Sequence, residues 1–217
     1  MRLSALYPCL LALVLPGLAC AEPELRWFKG NTHTHTSNSD GDSTPGVVAR
    51  WYRDNRYDFL VLTDHNVRTE IEELQREISE ENARDNRKPF LLIPGEEVSD
   101  NWKEGDRNHP LHTNGLGTTM PVGRQGGTSL VDTLQNCIDA IHRAGGLPHV
   151  NHPNFVWALT ADDLYKLRNL RHFEIYNGHP QVNNLGGGGL PSTEEIWDDL
   201  LSRGRLYYGV AVDDAHH

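Results

Sequence analysis

The chain has 217 residues, with 20 basic against 30 acidic side chains and a formal net charge of −10. That length suits one domain. The acidic balance, with no Lys/Arg-rich tract, argues against a nucleic acid as the main partner.

In chain order, Arg2 is followed by an apolar run, Leu3 to Leu18, and by the small residues Ala19, Cys20 and Ala21. This reads as a secretory signal over 1–21, leaving a periplasmic or secreted domain over 22–217. The apolar run is too short and too interrupted by proline for a membrane span, so no transmembrane segment is expected after cleavage. An alternative, a lipoprotein acylated at Cys20, is opposed by Gly17, which stands where such motifs carry Leu. Of Cys9, Cys20 and Cys137, only Cys137 stays in the mature chain. No internal disulfide is then possible, and the fold rests on its core or on bound metal.

From residue 25, short apolar runs alternate with helical stretches. "LRWFKGNTH" predicts a strand, and "TPGVVARWYRDNR" a helix capped by Thr44 with Pro45 first. "YDFLVLTDH" predicts a buried strand. "RTEIEELQREISEENARD" predicts a charged helix with Ile71, Leu74 and Ile78 on one face. "PFLLIPGEEV" and "HPLHTNGLG" predict strands, with "NWKEGDRNHP" as a charged loop between them. "SLVDTLQNCIDAIHRAGG" is an amphipathic helix closed by Gly145 and Gly146. Then come strand "LPHVNHP", helix "TADDLYKLRNL", strand "RHFEIYNG", the Gly-rich lid or linker "NNLGGGGLPS", helix "STEEIWDDLLSRG" and strand "RLYYGVAVDD". This alternation predicts an α/β domain with a largely parallel sheet, and about seven strands favour a barrel.

Twelve histidines is a high count for this length. His33 and His35 end the first strand, Asp64 and His65 the second, Glu96 and Glu97 the third. His112 lies near the next strand, His152 ends another, and Asp213, Asp214 and His216 end the last. Parallel α/β folds put their active sites at such strand ends. Side chains two apart on a strand share a side, so His33 with His35, and Asp214 with His216, can each grip one ion. Imidazole nitrogens and carboxylate oxygens without thiolates suit Zn, Mn or Fe, and so many donors call for two or three divalent ions.

The motifs "HTHTSNSDG", "LVLTDHN", "IPGEEV", "HTNGLG", "NHPN" and "VDDAH" come in the order found in the polymerase and histidinol phosphatase (PHP) superfamily, which the chain resembles from about Trp27 to His216. "EIYNG" and "GVAVDDAHH" look most like its CehA/McbA-type metallohydrolase branch. The resemblance implies a distorted seven-stranded β/α barrel, TIM-barrel-like, over 22–217. It implies that His33 and His35 hold one ion with Glu97 and Asp214. Glu97 would bridge to a second ion completed by His112 and His152, and Asp40, His65 and His216 would hold a third. The family's Gly-x-Glu and Asp-Ala-His patterns select Glu97 over Glu96 and Asp214 over Asp213. The chain stops one residue after the last motif, where family members continue, so truncation with incomplete barrel closure is an expectation.

The expected reaction is hydrolysis of a phosphoric ester by water activated between cations. The expected partner is a small anionic or ester substrate, with Arg68, Lys103, Arg107, His109 and His179 as candidate contacts. The alternatives are hydrolysis of a carbamate, ester or amide at the same metals, and a non-catalytic metal-containing binding module. His142 and His172 read as surface residues. His149, of opposite strand parity to His152, packs on the far side or behind the ligands.

Overall fold

A computed structural model describes residues 25–216. The expected signal segment, with Cys9 and Cys20, lies outside the described residues, as does His217.

Twelve elements alternate as the apolar runs predict. The strands are β1 (Gly30–Asn31), β2 (Phe59–Leu62), β3 (Leu91–Glu104), β4 (Arg107–Leu116), β5 (Leu147–Val150), β6 (His172–Asn177) and β7 (Tyr208–Val212). The helices are α1 (Pro45–Asp54), α2 (Glu72–Arg84), α3 (Leu130–Arg143), α4 (Ala161–Lys166) and α5 (Thr193–Ser202). The strands form one sheet in chain order. A parallel bridge between Thr34 and Ala215, with His35 N–H donating to Ala215 O at 2.8 Å and Asp214 N–H to His33 O at 3.0 Å, brings its two edges together. The sheet is thus nearly closed into a barrel, with helices packed on its strands.

Three apolar clusters hold the described residues, the smallest being Val98 of β3 with Cys137 and Ile141 of α3. Val48, Ala49 and Tyr52 of α1 pack with Leu60 and Leu62 of β2 and Ile78 of α2. Leu134 and Ile138 of α3 pack with Leu111, Val150, Phe173 and the α5 residues Ile196 and Leu200. Helices α4 and α5 each start with a capping box, Thr160 with Asp163 and Ser192 with Glu195, which satisfies free N–H groups of the first turn.

The sheet departs from the expected pattern at β4, which is antiparallel to both β3 and β5. The charged stretch expected as a loop forms the end of a long β3–β4 hairpin, turning at Gly105 with a φ of 59°. Its end is exposed, and of the facing pair Trp102 and His109, which turn inward, only one is apolar, so the sequence shows little apolar alternation there. Helix α2 starts at Glu72, later than its pattern predicts, because Arg68 and Thr69 are drawn into contacts with Thr118 and Asp64. Among the described residues, no helix is long and apolar enough to cross a membrane.

Candidate metal centre

Beyond β1 the chain stays extended, so His33 and His35 fall on one side. Both backbones are pinned to the segment after β7 by the seam bonds. At Thr36 the chain turns, and Gly41 folds back so closely that a Cβ there would lie 2.7 Å from His35 C and Thr36 N. That turn carries Asp40, whose side chain is half exposed. The fully buried Asp64 holds the loop from below. Its carboxylate accepts from Thr36 N–H at 2.7 Å, Ser39 Oγ at 2.9 Å and Thr69 Oγ1 at 2.6 Å.

The two adjacent acid pairs divide their tasks. Glu96 accepts from the N–H groups of Val122 at 2.7 Å and Gly123 at 2.6 Å, which fixes a loop, while Glu97 faces the imidazoles. Asp213 accepts from the Tyr52 hydroxyl at 2.8 Å, while Asp214 joins the cluster. Alternation along β3 makes the first split, since neighbours on a strand point opposite ways; the second falls just past β7, where Asp214 adopts a φ of 49°.

The remaining donors converge on Glu97. Its Oε1 lies 3.0 Å from His112 Nδ1, 3.4 Å from His152 Nε2 and 3.5 Å from His33 Nε2. Its Oε2 lies 2.8 Å from His65 Nδ1 and 3.2 Å from His35 Nε2. The Nε2 atoms of His33 and His35 are 3.1 Å apart, and each is 3.1 Å from Asp214 Oδ1. Asp40 lies 3.4 Å from both His65 Nε2 and His216 Nε2. Overlapping donor sets result: His33, His35 and Asp214; His33, Glu97 and His152; His65, Glu97 and His112; and His35, Asp40, His65 and His216. Within each set the donor atoms lie within 4.8 Å of one another.

This arrangement fits divalent cations. Glu97 Oε2, His112 Nδ1 and Asp214 Oδ1 are buried without a hydrogen bond. Their nitrogen and oxygen neighbours are near but misaligned for one. A buried polar atom left so is costly, and a cation among them accounts for all three. The set contains no thiolate, which suits Zn, Mn or Fe over softer metals.

Without a cation, acids and imidazoles charge one another. Burial disfavours imidazolium at His33, but Asp214, Glu174 and Glu97 outweigh it and raise its pKa well above the usual value. For His35 burial is likewise outweighed, by Asp214 and Glu97, and its pKa rises to about 9. Burial would raise the Glu97 pKa, but His112 and His33 hold it well below the carboxylate range. Burial lowers the pKa of His112 and His216.

Glu174 escapes the sequence reading. It is buried on β6, with Oε1 2.7 Å from His33 Nδ1 and 3.4 Å from His149 Nε2. Its Oε2 accepts from His152 N–H at 2.8 Å and Asn177 Nδ2 at 2.9 Å. A carboxylate between Phe173 and Ile175 in a buried strand was the available signal. His149 packs against it, behind the cluster. Asn151 Nδ2 donates to Glu97 Oε1 at 2.8 Å and Asn177 Nδ2 to Asp214 Oδ2 at 3.0 Å, so amides fix both acids.

Of the expected substrate contacts, only His179 lines the cavity of about 150 Å3 over the donors, its ring 5.2 Å from that of His216. Arg68 turns away, donating to Thr118 O at 2.9 Å and Glu70 at 2.8 Å. Lys103 stands six residues on from Glu97, roughly 20 Å along an extended strand. Arg107, opposite on the hairpin, donates to Trp157 O at 2.6 Å. His109 is buried with Nδ1 2.8 Å from Ala158 O. His142 is exposed and His172 half-buried, stacked on Tyr208.

No family model matches the chain. The 5'-3' exoribonuclease Rnm of Escherichia coli (strain K12) is 36% identical over 84 residues, which cover 39% of this chain and 26% of that protein. Its Salmonella typhimurium counterpart matches to the same extent. The match thus spans about a quarter of the length of these curated relatives. Among solved structures, a two-domain protein from Bacteroides vulgatus containing a predicted PHP-like metal-dependent phosphoesterase superposes with a TM-score of 0.58 at 18% identity. That likeness covers 87% of this chain and 52% of that one. An amidohydrolase from Chromobacterium violaceum, with bound sulfate and no metal, superposes with a TM-score of 0.53 at 17% identity, covering 87% of each chain. The chain therefore shares the α/β-barrel fold of PHP-like metal-dependent phosphoesterases.

Proposed function

We propose that the chain is a PHP-superfamily, metal-dependent hydrolase of phosphoric esters, with two or three divalent ions. The observation that carries this reading is the convergence of His33, His35, Glu97, His112, His152 and Asp214 around buried donor atoms that have no hydrogen bond. Divalent cations held there would activate water and offset charge developing on the phosphoryl oxygens.

Each residue then has a task. His33, His35 and Asp214 would hold one ion, and His112 and His152 a second, with Glu97 within reach of both sets; Asp40, His65 and His216, joined by His35, would hold a third. Glu174 accepts the Nδ1 proton of His33 and so keeps Nε2 free to ligate. Phe155 and Val182 line the cavity and limit water entry. His179, outside the donor sets, is placed to give a proton to the departing oxygen.

A phosphoric ester is favoured by two likenesses, one to a protein containing a predicted phosphoesterase and one, over 39% of the chain, to an exoribonuclease, whose bond is a phosphodiester. A polynucleotide is disfavoured, because no Lys or Arg lines the cavity. The CehA/McbA-type branch is supported by "EIYNG" and "GVAVDDAHH" alone, and secretion by the composition of 1–21 alone.

The amidohydrolase likeness sustains one rival, hydrolysis of a carboxyl or carbamoyl bond. Protein loaded with Mn or Zn is assayed on bis(4-nitrophenyl) phosphate, 4-nitrophenyl phosphate and an aryl carbamate, alongside elemental analysis. The expected result is turnover of a phosphate ester at two or three ions per chain, with both lost in Glu97→Gln. Turnover of the carbamate alone would sink the phosphoesterase reading. Bound metal with no turnover would make the chain a binding module.

A further inference from the structure

A second, larger cavity adjoins the donor sets. We propose that it seats an uncharged planar ring, the leaving group of the phosphoric ester, with Trp51 as its platform. This rests on the phosphoesterase reading above.

The cavity has a volume of about 620 Å3 and lies between α1 and the segment 178–180. It shares His179, Asp214 and His216 with the smaller cavity. One molecule can therefore reach both, its phosphoryl group at the donors and its leaving group beside α1. The smaller cavity, at about 150 Å3, has no room for a ring as well as a phosphoryl group.

The lining is apolar and aromatic where it departs from the donors: Val47, Trp51, Tyr57 and Pro180. Helix α1 has two apolar stripes. Val48 and Tyr52 are each 3% exposed and serve the core. Val47 and Trp51, four apart and so on one face, are 58% and 57% exposed, with the Trp51 ring edge-on to that of Tyr52 at 5.1 Å and much of its surface left open to the cavity. A helix that merely faced water would carry charged or polar groups there.

Charge limits the occupant. The acids on the wall are Asp213 and Asp214, and no Lys or Arg lines it, so an anionic group is repelled. Asp213 accepts from the Tyr52 hydroxyl and Asp214 belongs to the donor sets with His33 and His35, so neither acid is left over for a cationic leaving group. An uncharged ring matches what remains, and tryptophan is the side chain best suited to stack on one.

The test compares wild type with Trp51→Gln, which removes an exposed ring and leaves the core intact. kcat/KM is measured for the 4-nitrophenyl, 2-naphthyl and ethyl esters of phosphate. Each substrate is compared with itself, so intrinsic leaving-group reactivity cancels. Loss of about tenfold on the two aryl esters, mostly in KM, is expected. The ethyl ester should change by no more than roughly twofold. An equal change across all esters, or none, overturns the proposal while leaving phosphoesterase activity standing.

A second arm needs no turnover. Saturation-transfer NMR should detect 2-naphthol on wild-type protein, with the signal lost in Trp51→Gln and in Val47→Asp, and no signal from ethanol. Absence of naphthol binding to wild type overturns the ring pocket whatever the activity. Naphthol binding without hydrolysis of any phosphate ester overturns the phosphoesterase reading, and the leaving-group role with it. A wild-type dimer that Trp51→Gln dissociates would assign this face to a second copy of the chain and overturn the proposal.

Discussion

Glu174 and His33 are 141 positions apart in the chain and 2.7 Å apart in space. The carboxylate decides which imidazole nitrogen carries the proton, and the other is left for a cation. Glu174→Gln keeps the shape but removes the charge. Its expected effect is metal affinity lower by about 10- to 100-fold, read by competition with a chromogenic chelator. The same residues set a pH dependence. His33 and His35 have raised pKa values, so in metal-free protein their pairing with carboxylates stabilises the fold fully below the unfolded histidine value of about 6.5. That stabilisation is lost as pH rises through about 9 for His35. Metal affinity runs the other way, because imidazoles must lose their protons to bind. Thermal unfolding across pH 6–10 should show the metal-free protein weakening and the gap to the metal-loaded protein widening. A metal-free Tm that is flat or rises over this range would contradict the pairing. Strand parity makes His33 and His35 legible in the sequence as a pair. Parity alone does not choose between Glu96 and Glu97 or between Asp213 and Asp214, because adjacent acids differ only in which side they face. The coordinates place Glu97 and Asp214 among the imidazoles and give Glu96 and Asp213 other partners. Glu174 was marked only as a carboxylate between apolar neighbours, and its role was not legible, because its partners come from distant segments.

At the scale of elements, apolar periodicity and cap residues carried most of the information. Ser129, Thr160 and Ser192 start α3, α4 and α5, each accepting a backbone N–H of the first turn. Strand direction was not legible. An alternating segment reads the same whether it runs with or against its neighbour, so nothing in the sequence assigned β4 a direction. The hairpin arms around Gly105 are polar or charged apart from the inward pair Trp102 and His109, too few residues to show an alternation. The turn between His35 and Asp40 is different in kind, since it depends on one close approach. Gly41→Ala would push a methyl against the His35 and Thr36 backbone. We expect a cost of about 1–3 kcal/mol from such overpacking, together with weaker metal binding, because the displaced segment carries His35 and Asp40. Thermal denaturation and metal titration of this variant check both. A change in stability with unaltered metal affinity would detach the turn from the site.

On the whole-molecule scale, the donor sets straddle the line where the barrel closes. His33 and His35 follow β1, and Asp214 and His216 follow β7. A cation bound across them ties the edges together, adding to the few backbone bonds between Thr34, His35, Asp214 and neighbours. At free metal about a thousandfold above Kd, binding stabilises the folded chain by about 4 kcal/mol. For a domain of this length that is a Tm rise of roughly 10 °C, read by calorimetry before and after EDTA. An unchanged Tm would mean that the folded chain binds no such ion.

The closure line also dates the site within the life of the molecule. Asn31 and Asp213, whose bond helps join the edges, are separated by 182 positions. A nascent chain leaving the ribosome presents its paired imidazoles early and the acid that faces them almost two hundred residues later. Contacts so remote in sequence form slowly. A cation taken up at these donors would therefore be captured late in biogenesis, once Asp214 and His216 have cleared the exit tunnel.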